Sequence, residues 1–282
     1  MNQIQAKHKK SKHSNKSHLT VHVDGKSLDK ILHEIYPDKN LIGLVPTFLN
    51  WPEDTKEREL ILQRFESDEK QVAPILMCPD TVNLRYKILH VEIEKTENSV
   101  KWLRIGLGDS GFESNPTESM ETTVEWLSKI ELLEFDRIEY QKFVSEIKAE
   151  IEKEEIKRLI NFWITRINDK ELIPHAIKAF NFGIIESEND YQMYLVGTHN
   201  YDTLNDDWAC EEDFVPKEKY LSLGTDSKKW RWEEIQSIVK SGIEQFMETK
   251  IFPLTFVHKA EFITTGFDDG ELQQVKQPFG IS

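Results

Sequence analysis

Eight carboxylates in two short stretches are the residues of this chain with the types and spacing to do chemistry. Asp202, Asp206, Asp207, Glu211, Glu212 and Asp213 fall within Tyr201 to Phe214, where there is no basic residue and Trp208 sits in the middle. Asp268 and Asp269 form a second group before Gly270. Carboxylates at this density can hold Mg2+ or Ca2+ and support hydrolysis, or they can present a negative surface to a cationic partner. The metal-dependent hydrolase would use Asp206, Asp207, Glu211 and Asp213 with Asp268 and Asp269. Against it, an EF-hand loop needs acids at alternate positions, a central glycine and a terminal glutamate, and this spacing does not fit. His199 is the one histidine near the cluster. Nothing nearby supplies a nucleophile with an orienting base or a phosphate-cradling glycine loop. Binding is therefore the first reading. The acids would meet Lys or Arg of a partner, with Trp208 as an aromatic anchor. The plain alternatives are a Trp208 that pins the loop from the core, a solvated acidic face, and a turn of ordinary composition at Asp268-Asp269-Gly270.

Other motifs are weaker. Gly106, Gly108 and Gly111 superficially suggest a phosphate loop, but the order is GLGDSG, without lysine and with Asp109 inside to repel phosphate. His8, His13 and His18 lie five apart without cysteine or carboxylate partners, which is poor metal-ligand spacing. Cys78 and Cys210 are too few for a disulfide framework and are expected as free thiols. His175, beside Pro174, reads as a solvent-facing or core-satisfied residue. No cofactor is implied.

The elements that must position the acids belong to a well-solvated globular protein. Its 282 residues exceed the usual single core, 38% are hydrophobic and 30% charged, and seven Trp and fifteen Phe supply core material. No apolar run approaches the roughly 20 residues that span a bilayer, and no apolar segment follows the basic start, so a cytoplasmic location is expected. Residues 1 to 23 carry five lysines and no acid, so the remainder bears −19 against −14 for the whole chain. Such a body repels nucleic acid and anionic membrane and speeds encounter with a basic protein.

In chain order, residues 1–17 lack apolar periodicity and read as a disordered basic arm. Residues 18–135 read as an α+β lobe. Within it, His18 to Val23 alternates as a strand, Asp24-Gly25 turns, and Ser27 is placed to cap a helix through Tyr36. Asp54 and Glu57 suggest a capping box for a helix from Thr55 to Ser67. Strands follow at Val72 to Cys78, Arg85 to Glu94 and Val100 to Leu107, the last two joined at Glu97-Asn98 as a hairpin. Asn115 to Thr123 reads as a loop. Asp136 is placed to cap a helix from Arg137 to about Ile167, which connects two lobes over residues 136–167 and carries Tyr140, Phe143, Val144, Ile147, Ile151, Leu159, Ile160, Trp163 and Ile167 on its face. The second lobe, 168–282, opens with a helix from Asp169 to Phe182 ended by Gly183. A strand from Tyr191 to Thr198 leads into the acids, Trp230 to Lys250 is amphipathic, and a last strand passes Phe262 and Thr264. The class is α+β, with two lobes each made of an antiparallel sheet covered by helices.

The succession YLVG, YDTLNDDWACEEDFVP, KEKYLSL, a Trp-bearing helix and GFDDGEL resembles bacterial immunity proteins encoded beside polymorphic toxins, including those of contact-dependent inhibition systems. The resemblance runs from about Gly183 to Leu272, and LVPTFLNW, PILMCPD and VKWLRIG upstream share the flavour. It implies a protein that neutralises a cognate toxin C-terminal domain by tight binding, without chemistry of its own. An acidic body suits a basic nuclease as that toxin. Individual binding residues do not carry over.

Overall fold

Leu19, Val21 and Val23 alternate inward and are buried, and they draw the basic N-terminus into a sheet. In a computed structural model, which describes residues 1–11, 14–48, 55–78, 88–108 and 123–276, the chain is an α+β protein. Strand β1 (Ile4–Ser11) pairs antiparallel with β2 (Ser14–Val23), from Ile4 opposite Val23 to Lys10 opposite Ser17. The disordered arm expected over 1–17 is thus corrected. Ile4 is buried and Ala6 packs on the core, and these two inward positions suffice once β2 offers its backbone as a template. Asp24 and Gly25 both have positive φ (50° and 80°), the pairing that suits a two-residue hairpin, and β3 (Lys26–Ser27) follows. Ser27 stands at the N-cap of α1 (Leu28–Ile35) but its hydroxyl makes no cap bond; it accepts a hydrogen bond from Lys9 Nζ at 3.2 Å.

A second sheet holds the strands expected upstream. Its order is β4 (Val45–Pro46), β5 (Gln71–Met77), β6 (Ile88–Lys95), β7 (Ser99–Gly108) and β8 (Val124–Trp126), with β9 (Leu133–Asp136) also pairing β7. All of these pairs are antiparallel. Helix α2 (Thr55–Glu66) seats Ile61 and Phe65 in the core, Phe65 edge-on to Phe48 with centroids 5.8 Å apart. The capping box at Asp54 and Glu57, Asp109, Gly111 and most of the Asn115 to Thr123 loop lie outside the described residues.

Contacts divide the chain into two units, Met1–Glu152 and Lys153–Ser282, and the division falls inside α3 (Arg137–Lys170). Asp136 Oδ1 accepts hydrogen bonds from the N–H groups of Ile138 (2.8 Å) and Glu139 (3.1 Å), satisfying donors the first turn leaves open. Tyr140, Phe143, Val144 and Ile147 join the first core, while Ile156, Ile160, Trp163, Ile164 and Ile167 join the second. Leu159, expected inward, is 42% exposed, because beyond Glu152 to Glu155 the buried stripe is rephased onto Ile156, Ile160 and Ile164.

The helix expected from Asp169 to Phe182 is absent. Helix α3 continues to Lys170, and β10 (Ala179–Glu186) takes the later residues. Phe180, Phe182 and Ile184 alternate into the core, a period of two that a helix cannot use. β11 (Tyr191–Thr198) pairs antiparallel with β10, and β12 (Tyr220–Ser222) with β11. Helix α4 (Trp232–Met247) and the short α5 (Phe256–Lys259) precede β13 (Phe262–Phe267), and β14 (Gln273–Lys276) closes the order β12-β11-β10-β13-β14. β13 runs parallel to β10, so this sheet is mixed where an antiparallel one was expected: a strand that returns after a helix can enter in either direction. Ile235, Ile238, Val239, Ile243 and Phe246 of α4 are buried in the same core as Phe180, Phe182, Ile184, Met193 and Leu195. A Cβ on Gly242 of α4 would stand 2.9 Å from Ile160 Cδ1 of α3, so glycine permits this close helix approach. The side chains alternating with those core residues on β10 and β11 line the second face of the sheet.

Candidate functional site: an acidic concavity over the second sheet

Asn181, Ile185, Tyr194 and Val196 lie on that second face, because they alternate with the core positions of β10 and β11. The acidic stretch folds over one end of it. Trp208, on a single 3-10 turn (Asp207–Cys210), is 6% exposed and packs with Ala179, Ala209 and Phe262; its ring lies 5.6 Å from Phe262, on which Tyr201 also stacks at 5.0 Å. Of the two readings of Trp208, partner-binding anchor or loop pin, its burial fits the loop pin. The indole pins the loop from below, and large apolar area is best removed from water where a sheet face is otherwise bare.

A concavity of about 470 Å³ remains beside the pinned loop. Asp206, Asp207 and Glu212 line it from the acidic stretch, and Asp268 lines it from the turn after β13. Asp206 Oδ2 accepts a hydrogen bond from the Leu272 N–H at 3.2 Å, tying the two loops together. Asp202, Glu211 and Asp213 do not line the concavity. Asp202 Oδ1 accepts from the Leu204 N–H at 2.9 Å, Glu211 is exposed, and Asp213 Oδ2 faces His199, accepting from its backbone N–H at 2.8 Å with the ring Nδ1 at 2.9 Å. Asp269 lines a neighbouring cleft.

The walls also contain residues that no motif singles out. Tyr194 lies across Gly183, where a Cβ would stand 2.0 Å from its ring, so only glycine lets the phenol lie flat here. Its hydroxyl donates to Asp268 Oδ1; burial, and then this carboxylate, push the phenol up from its usual range. Lys219 reaches between Tyr194 and Tyr220, its Nζ 5.4 Å from each ring centroid, and pairs with Glu212. The hydrogen bond it donates to Glu212 holds this ammonium above its ordinary pKa. The concavity therefore already cradles one cation between two aromatic faces and a carboxylate, an arrangement that favours ammonium and guanidinium groups. Asn181, 2% exposed, accepts a hydrogen bond from Thr264 Oγ1 at 3.0 Å, next to it across the parallel β10 and β13 register. The signal for this second face is the run Phe180-Asn181-Phe182-Gly183-Ile184, in which bulky and small or polar residues alternate.

Chemically the site is suited to binding. Cys210 lines the concavity but is accompanied there by no histidine, so the pairing that activates a thiol is missing from its described lining. Among the described residues, no three His, Cys, Asp or Glu side chains converge as metal ligands would. Among them also, no helix is long and apolar enough to cross a membrane. The chain matches no protein-family model, no curated protein and no solved structure.

Proposed function

We propose that this chain is an immunity protein that neutralises a cognate bacterial toxin domain by direct binding, without catalysis, and that it works in the cytoplasm. One observation carries the reading: two acidic turns more than fifty residues apart in sequence meet at one concavity that already holds a lysine between two tyrosines. A basic surface of the toxin domain supplies the complementary charge. The net charge of −14 speeds its approach and disfavours nucleic acid as a competing ligand. The likeness of residues 183 to 272 to immunity proteins points the same way.

The test is co-expression with the C-terminal domain encoded by the neighbouring large reading frame, scored by survival and then by co-purification. Cells survive and the two chains elute as one complex under this reading. A neighbour that is harmless alone, or that kills despite this protein, removes its support.

A further inference from the structure

A second cleft, of about 760 Å³, adjoins the concavity already described and shares Ile185, Phe267, Asp268, Gly270 and Leu272 with it. Trp232, the first residue of α4, forms one wall and remains 54% exposed, held edge-on by Phe267 with centroids 6.1 Å apart. An indole fixed by its neighbour yet open to water is ordered at little further entropic cost when a ligand covers it. Gln236, one turn further along α4, lines the same cleft. It is 6% exposed, and among the described residues its side-chain amide makes no hydrogen bond. The little exposure it keeps opens on the cleft and includes the amide, so water there satisfies it and a ligand seated in the cleft can take over that bonding. The rim is acidic. Glu186 is taken up by Lys228, and Asp269 and Glu271 carry the charge that remains.

We infer that this cleft receives an arginine side chain from a basic protein partner, stacked on Trp232, with its N–H groups directed to the Gln236 carbonyl oxygen and to the Asp269 and Glu271 carboxylates. The inference rests on the reading of the chain as a binder of a basic protein. It adds a second contact, on a different wall from the Tyr194 and Tyr220 concavity. Arginine fits where lysine does not, because a planar guanidinium stacks on an indole and has five donors in a fixed fork to share among three acceptors. An ammonium is a compact, strongly hydrated charge that stacks poorly. The charge of the rim selects a cation and disfavours the phosphates of nucleic acid or an anionic lipid surface.

The probes are two short blocked peptides, acetyl-Gly-Arg-Gly-amide and its lysine counterpart, titrated into the full-length protein. The readout is the NMR resonances of the Trp232 indole N–H and the Gln236 side-chain amide, each assigned by substitution. The arginine peptide is expected to shift both resonances saturably and to bind several times more tightly than the lysine peptide. Trp232→Ala weakens it about tenfold, the scale of a partly desolvated cation over an indole. The pair Asp269→Asn with Glu271→Gln also weakens it. Trp232 is surface-exposed, so its replacement leaves the fold intact, which the remaining spectrum reports. Equal response to both peptides, no shift at these two groups, or binding that survives Trp232→Ala each overturns the inference. The titration needs no toxin domain, so a failure here is separate from a failure of co-purification.

Discussion

Trp163→Ala destabilises the second unit by about 3–5 kcal/mol, the range for removing a large aromatic from a closed core. Trp163 is fully buried on α3, and its ring meets Phe182 of β10 edge-on with centroids 6.2 Å apart. Its indole N–H donates to the Glu218 carbonyl at 3.1 Å, so one side chain ties the helix to the central strand and to the segment leading into β12. Alanine leaves a cavity among Ile160, Ile164 and Phe182 and strips that carbonyl of its donor. Two losses are combined, which places the substitution in the upper part of the range. With a urea slope of about 1–3 kcal/mol per molar, the transition of this unit moves down by more than about 1 M. Trp163→Phe restores packing without the hydrogen bond and should recover more than half of the loss. A shift below about 1 kcal/mol for the alanine variant would mean that the core closes over the vacancy, contrary to the packing described.

The first unit loses about 3 kcal/mol as the pH falls from about 7 to 4, through one side chain. His90 of β6 is 1% exposed, flanked across the sheet by Pro74 and Gly106. Burial pushes its pKa down to about 4; the Ile88 backbone opposes this, and the positive charge of Arg64 adds to it. Unfolded, the imidazole titrates near its ordinary value of about 6.5. Between these two values the unfolded chain takes up a proton that the folded chain refuses, so stability rises with pH across that window and falls as acid is added. At about 1.4 kcal/mol per pH unit the whole interval is worth about 3 kcal/mol, and below pH 4 this contribution levels off. His90→Phe keeps a flat ring and removes the proton. Its unfolding free energy, followed between pH 7 and 4.5, should be flatter than that of the parent by most of this amount. An unchanged slope would show that the imidazole is protonated in the fold.

What could be read from the sequence divides along physical lines. The α+β class, the β6 and β7 hairpin, the Asp136 cap and the α4 stripe are local signals: a turn, a side chain two or three residues from the N–H it accepts from, a period of 3.6. They survive folding because tertiary packing reinforces them. The two long misreadings were non-local. Residues 4 to 11 form a strand because β2 lies beside them, and Ala179 to Glu186 form one because β11 and β13 flank it on both edges. The acids of 202–213 and 268–269 were visible as composition, yet their meeting depends on β13 returning beside β10, which no short stretch encodes. Trp208 can be read either way among its six carboxylates, because the apolar patch that buries it is Phe262, more than fifty residues on. Tyr194, Tyr220 and Lys219 carried no motif, and only the sheet's second face makes them neighbours.

The most direct test of the concavity as the partner's contact is the Kd of the complex with the toxin domain, measured by calorimetry at low and high salt, for the native chain and for Asp206→Asn with Asp268→Asn. Asparagine retains an oxygen to accept from the Leu272 N–H and from the Tyr194 hydroxyl, so charge is removed while both hydrogen bonds persist. The native complex is expected to weaken as salt rises. The double variant should be weaker by at least about tenfold at low salt, with a shallower salt dependence, so that the two converge at high salt. Equal affinities with equal salt slopes would place the contact elsewhere and contradict the assignment of this face.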